Sequence, residues 1–261
     1  VVSPEPDPQA AMAVLPPGDT VGGDFNLVKA VMGIVPPFTT PGSFTWTCPD
    51  EVTCIKVEVW GGGGRGGNRT SNGAGGGGGG GGYSRSVLTV NPGNIYTGWV
   101  GAGSNTTSAG EDSWFINNTT LLARGGNSVA NNNPNGASGG VLGIGDDRFI
   151  GGAGANGYYG SGTDYGGGGG SSAGDAANGN SGNNQNGGIA PAGGGNGGNG
   201  RYNNQGNGTA GSAPGGGGGG GLRSSFGTRT GGNGANGQVI ITYIIAYDRS
   251  EERRVGKECR S

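Results

Sequence analysis

The sequence predicts a mostly β fold, a small antiparallel β-sandwich carrying glycine-rich insertions in the polyglycine II helical conformation. Two observations lead there. Short segments of alternating apolar and polar residues stand on both sides of a long central stretch, which is the pattern of half-buried strands. Of the 70 glycines, 64 fall within residues 61–237, and only 30% of the 261 residues are hydrophobic. Glycine loses the most backbone entropy on folding and adds no side chain to a core, so that stretch cannot be ordered by apolar burial. Its order must come from main-chain hydrogen bonds.

Residues 1–37 read as a proline-rich linker or arm, since eight of the 13 prolines lie in residues 1–41. Inside it, residues 25–35 are apolar enough for one short element packing on the domain that succeeds it. That glycine-rich domain covers residues 38–247. Residues 44–48 and 55–59 alternate across a Pro49-Asp50 turn and predict a hairpin. Residues 83–90, 96–100, 114–116 and Leu121–Ala123 predict further strands, and residues 238–243 the closing one. Phe44, Trp46, Trp60, Tyr96, Trp99 and Trp114 are expected to fill the core.

The glycine runs are residues 61–64, 75–82, 166–170, 193–195 and 215–221. Collagen would need a strict three-residue period with abundant proline, and a flexible linker would mix in serine without returning to a strand. Polyglycine II helices have three residues per turn and no internal hydrogen bonds. Their N–H and C=O groups must pair with neighbouring helices, which only glycine lets approach closely enough. A run of eight would extend roughly 25 Å at about 3.1 Å per residue.

Composition also excludes chemistry. With no histidine, Ser-His-Asp and Cys-His nucleophiles and the commonest zinc ligand are missing. No lysine lies between Lys56 and Lys257, so a phosphate loop of the Gly-Lys-Ser/Thr kind cannot exist. The pairs Glu111-Asp112 and Asp146-Asp147 are sequence neighbours, which on a strand point to opposite faces, and solvated loops account for them better than acid-base work. No enzymatic activity, cofactor or metal set is expected. Net charge is −2, and without residues 249–261 it is 10 basic against 14 acidic groups, so no nucleic-acid partner is expected. Arg65-Gly-Gly and Arg124-Gly-Gly read as turn arginines rather than RNA-binding repeats. The longest apolar stretch, residues 239–247, contains Thr242, and no membrane insertion is expected. For Cys48 and Cys54, a disulfide across the turn and two reduced thiols are both open readings.

Side chains that interrupt glycine are the candidate binding residues. Residues 146–150 form one such loop. Tyr158, Tyr159, Asp164 and Tyr165 belong to a second, Arg201, Tyr202, Asn203 and Asn204 to a third, and Arg223 and Phe226 to a fourth. Rings that stack, beside planar groups that hydrogen-bond, suit polysaccharide or protein-surface recognition. Packing of the tyrosines over the ends of glycine segments is the competing account.

The stretch Phe38-Thr-Thr-Pro-Gly-Ser-Phe-Thr-Trp-Thr-Cys-Pro-Asp-Glu-Val-Thr-Cys-Ile-Lys-Val-Glu-Val-Trp-Gly-Gly-Gly-Gly64 resembles the opening of the glycine-rich domain of bacteriophage tail-fibre and adhesin proteins and bacterial surface proteins. Gly82-Tyr83, Leu88-Thr-Val-Asn-Pro-Gly93, Val100-Gly-Ala-Gly103 and Gly234-Ala-Asn-Gly-Gln-Val-Ile-Ile-Thr-Tyr243 agree with it. The resemblance spans residues 38–243 and departs at Cys48 and Cys54. It implies a β framework with polyglycine II segments and exposed loops that bind a receptor. Host surface polysaccharide or outer-surface protein would be the partner, alongside the rest of a tail fibre, at an extracellular or virion-surface location. A secreted structural or ice-binding glycine-rich protein is the alternative, and a carbohydrate-binding accessory domain of an enzyme a third.

Val1 reads as a processed end or the start of an assembled fragment. Residues 249–259 resemble the conceptual translation of a short-read sequencing adapter, and residues 248–261 are read as a non-native tail. The nucleotides encoding residues 249–259 are therefore expected to match adapter without silent differences. Recovery of the same peptide, in other codons, from an independent clone contradicts this.

Overall fold

The computed structural model describes residues 29–160 and 162–247. The arm up to residue 28 and the tail from residue 248 lie outside the described residues. Eleven strands follow in chain order: β1 (Lys29–Ile34), β2 (Gly42–Thr47), β3 (Cys54–Trp60), β4 (Gly73–Ala74), β5 (Tyr83–Thr89), β6 (Ile95–Val100), β7 (Ser113–Phe115), β8 (Leu121–Ala123), β9 (Asp147–Phe149), β10 (Leu222–Arg223) and β11 (Gln238–Tyr247). No α-helix occurs among the described residues. The fold is all-β and sandwich-like. A five-stranded antiparallel sheet, β1-β11-β3-β5-β9, faces a four-stranded one, β2-β6-β7-β8, and β10 pairs with β4 apart from both.

Alternation decides what is buried. In β3, Ile55, Val57 and Val59 point into the sandwich beside Val239 and Ile241 of β11. From the opposite sheet come Trp46, Val100, Phe115, Leu121 and Ala123. Phe44 stacks on Phe38 at 3.8 Å, and Trp46 lies 6.5 Å from Phe115 and 6.2 Å from Tyr243. The Ser84 hydroxyl donates to the Leu122 carbonyl at 2.7 Å, tying the sheets together. On the outer face of β3, Trp60 packs edge-on to Tyr83 at 4.8 Å and donates its indole N–H to the Ala173 carbonyl. That contact clamps the returning glycine segment onto the sandwich.

Three expectations need correction. β2 and β3 are not a hairpin: β2 pairs with β6, and β3 with β11 and β5. Both strands carry an apolar inward face, so they oppose each other across the core instead of sharing a ladder. Trp99 and Trp114 are cross-strand neighbours on the outer face of their sheet, half-exposed, and do not join the core. Residues 147–149 are the edge strand β9, held on β5 by the Arg85–Asp147 ion pair and by Phe149 against Tyr83, so the 146–150 loop belongs to the sandwich.

Between the strands, the glycine segments run out from the sandwich and back. In residues 75–82 the N–H groups repeat with a period of three. Gly75, Gly78 and Gly81 donate to Gly221, Gly218 and Gly215; Gly76, Gly79 and Gly82 to Asn133, Asn127 and Arg124; Gly77 and Gly80 to Ala155 and Gly152, all at 2.7–3.0 Å. The carbonyls repeat likewise. Those of Gly76, Gly79 and Gly82 accept from Gly67, Gly64 and Gly61, those of Gly75, Gly78 and Gly81 from Gly167, Gly170 and Ala173, and those of Gly77 and Gly80 from Ala137 and Gly140. Every main-chain donor and acceptor of this buried run is paired.

That pairing demands close approach. A Cβ on Gly77, Gly79, Gly80 or Gly81 would stand 1.9–2.0 Å from a carbonyl oxygen of a neighbouring segment. No glycine of the run has a positive φ, so steric room and not left-handed backbone sets the requirement. On the outer segment 194–200, by contrast, Asn196 and Asn199 stand three apart facing solvent while the glycines between them face neighbours. Their Oδ1 atoms accept from the N–H groups of Ala190 and Gly187 at 2.7 and 2.8 Å, satisfying donors that the thinning lattice leaves over.

Gly79→Ala and Gly80→Ala should each destabilise the fold by on the order of 3 kcal/mol, because the carbonyl in the way belongs to a fully bonded neighbour. Asn233→Ala, at an exposed outer position, should stay within about 0.5 kcal/mol. Urea unfolding of the three variants checks this, and equal stabilities contradict it.

Candidate functional site

Segment 61–67 leaves the end of β3 and segment 75–82 returns to the start of β5, so the turn between them, residues 68–74, lies at the end remote from the sandwich. Three further turns lie at the same end. Tyr158 pairs with Tyr165 through reciprocal bonds of 2.7 and 2.9 Å, and Tyr165 bridges to Tyr202. Gly206 bridges to Leu222, Leu222 pairs with Ala74, and Arg69 bridges to Arg229. One chain of short ladders thus gathers the loops 68–74, 158–165, 201–206 and 222–229, of which Ser161 alone lies outside the described residues.

Within this end the expected residues divide by what they touch. The Tyr158 and Tyr165 rings stack at 5.9 Å, and the Tyr165 hydroxyl donates to Asn184 Oδ1 at 3.1 Å. Asp164 Oδ1 accepts from the Gly160 N–H, and its carbonyl from the Asn203 N–H, both at 2.8 Å. Asn203 has φ 56°, a left-handed conformation that asparagine tolerates, and Arg201 Nε donates to the Asn204 carbonyl at 3.0 Å. Tyr165, Asp164, Asn203, Asn204 and Arg201 therefore shape the loops. Tyr158, Tyr159, Tyr202 and Phe226 present rings to solvent, with 50%, 43%, 46% and 88% of their surfaces exposed. Arg223 donates through Nε to the Gly227 carbonyl at 2.8 Å and through Nη1 to Asn72 Oδ1 at 3.1 Å.

Sequence reasoning missed Arg69 and Arg229, which glycine-rich context hides and which lie 160 positions apart in the chain. The signal available was a cation interrupting a glycine stretch with no acid nearby. Neither Arg65 nor Arg124 is a turn arginine. Arg65 is buried in the outgoing segment with Nη2 donating to Asn131 Oδ1 at 2.9 Å, and burial pulls its pKa below the ordinary arginine value. Arg124 pairs with Asp112 at 2.9 Å at the foot of another segment.

Elsewhere, Trp99, Trp114, Glu111, Asp112 and Asn118 line an open cleft of about 440 Å³ on the sandwich. Its two carboxylates have separate partners: Glu111 Oε2 accepts from the Trp99 indole at 3.3 Å, and Asp112 from Arg124 and the Gly125 N–H. Cys48 is buried with its thiol donating to the Val52 carbonyl at 3.2 Å, whereas Cys54 is exposed, and the two stand as free thiols, the second of the two open readings. Burial first, and then Asp50, raise the Cys48 pKa. Among the described residues no cluster of three or more His, Cys, Asp or Glu could hold a metal ion.

Among curated proteins no match is found. A sequence profile described as a glycine-rich domain matches residues 39–244. That interval contains β2 to β10, most of β11 and every glycine run. This chain belongs to the glycine-rich domain family.

Proposed function

We propose that the glycine segments are polyglycine II helices packed as a stiff bundle, and that the bundle holds its far loops against another surface. The module would then be a non-catalytic receptor-binding tip of a phage tail fibre or a related adhesin, acting outside the cell or on the virion. The three-residue repeat of hydrogen bonds supports the helical reading, since three residues per turn returns each bonding group to the same neighbour. The binding reading rests on one observation above all. Tyr158, Tyr202 and Phe226 expose apolar rings at the tips of loops whose own shape is fixed by other residues. A framework with almost no side chains cannot discriminate partners, so discrimination falls to the residues at its ends.

Aromatic rings on a preorganised loop cost little conformational entropy on binding, and a few such anchors carry most of an interface's energy. Replacing Tyr158, Tyr202 and Phe226 by alanine, singly and together, should weaken binding to host cells or purified surface glycan by about 2 kcal/mol at one or two positions. Thermal stability should hardly move for Tyr202→Ala and Phe226→Ala, whose rings are exposed, whereas Tyr158→Ala also gives up its stacking on Tyr165. Tyr165→Ala should instead lower stability through loss of its stacking and its bond to Asn184. Undiminished binding by the folded triple variant would rule out the loops as the site.

A further inference from the structure

The loop end holds Arg65, Arg69, Arg201, Arg223 and Arg229 against a single acid, Asp164. The ion pairs of the described residues are Lys56–Glu58, Arg85–Asp147 and Arg124–Asp112, and none uses these five arginines. A chain of net negative charge has thus collected uncompensated cations at one end. We propose that Arg223 and Arg229, backed by the buried Arg69, form a site for the phosphate or carboxylate group of an anionic surface polysaccharide. This rests on the reading of the far loops as the binding end and names the class of ligand they take.

The geometry converges on Asn72. Its carbonyl accepts from Arg69 Nη2 at 2.9 Å and its Oδ1 from Arg223 Nη1 at 3.1 Å, which brings two guanidinium groups together, neither of them ion-paired to a carboxylate side chain. Burial first, and then the charge of Arg223, hold the Arg69 pKa below the usual arginine range. An arriving anion would relieve that repulsion, and the low exposure of Arg69 strengthens its field at the surface above. Arg229 stands opposite Arg69 on an antiparallel bridge. Its Nε has no partner, and its Nη1 and Nη2 reach the Thr228 and Phe226 carbonyls only at 3.4 and 3.3 Å, so little opposes its turning toward an anion.

The surroundings favour a sugar chain as the carrier of that anion. Phe226 projects from the very loop that Arg223 and Arg229 flank, with its ring open to stack on an apolar sugar face. Planar guanidinium forks match carboxylate and phosphate oxygens two at a time. A single-stranded nucleic acid would call for a basic groove that tracks a backbone, whereas this charge is confined to adjoining loops.

The test uses the full chain, with Arg223→Gln/Arg229→Gln and Arg223→Lys/Arg229→Lys, and six probes: alginate, a phosphorylated mannan, the same mannan after phosphatase, neutral dextran, single-stranded DNA and anionic lipid vesicles. The proposal expects alginate or phosphomannan to bind, dextran and the dephosphorylated mannan not to, and affinity to fall about tenfold or more from low to high salt. The glutamine pair should lose about tenfold or more, and the lysine pair much less. Response to alginate alone or to phosphomannan alone supports the site and names its anion. Equal losses in the two pairs would assign the arginines to loop stapling and overturn it, as would unchanged binding by the glutamine pair. Equal binding of single-stranded DNA or anionic vesicles would overturn it too. If the glutamine pair binds host cells normally while the Tyr158, Tyr202 and Phe226 variants do not, the anion site fails and the loop reading stands.

Discussion

In residues 75–82 the main chain comes so near its neighbours that a methyl group on most of its α-carbons would stand about 2 Å from a carbonyl oxygen. A net hydrogen bond contributes about 1 kcal/mol and ordering one residue costs about 1–2 kcal/mol, so a run paired on one side would not stay ordered. Pairing on every side changes the balance, and the run is flanked by six segments, three receiving its N–H groups and three donating to its carbonyls. Glycine content follows from that arrangement. The buried run is all glycine, while outer segments carry asparagine, serine or alanine at positions facing away.

The sandwich supplies what the lattice cannot. Segments in which each residue bonds to a distant part of the chain have no local nucleus, and the β core fixes where they start and end. β3 launches the segment of residues 61–67, β5 receives that of 75–82, and β11 receives the last one beside β3. Trp60 reaches from the sandwich into this system through its bond to Ala173. Loops at the remote end are then held by their neighbours' main chains and by arginine bonds to loop carbonyls, which leaves the exposed rings of Tyr202 and Phe226 free of a packing duty.

Much of the sandwich was legible because strand periodicity is local. β3, β5, β6, β8 and β11 fall within a residue or two of the alternating segments, apart from the C-terminal extension of β11. Sheet membership was not legible: the Pro49-Asp50 turn looks like a hairpin turn, yet the chain crosses between sheets there. Trp99 and Trp114 show the limit of composition, since a tryptophan is not inward merely by being apolar. At the site, the loops were visible as interruptions of glycine, but which of their residues shape the loop and which face outward depends on bonds such as Arg201 to Asn204. The approach of Arg69 to Arg223 and Arg229 depends on the folding of the whole glycine stretch, which no local pattern encodes.

Amide exchange of the glycine run tests the central claim most directly, because the claim concerns those N–H groups themselves. If the lattice orders the chain, the amides of Gly76 to Gly81 exchange as slowly as those of Val57 and Ile241 in the sandwich, and residues 224–228 exchange far faster. Exchange of the run at the rate of an unstructured chain, with the strands still protected, would contradict the account.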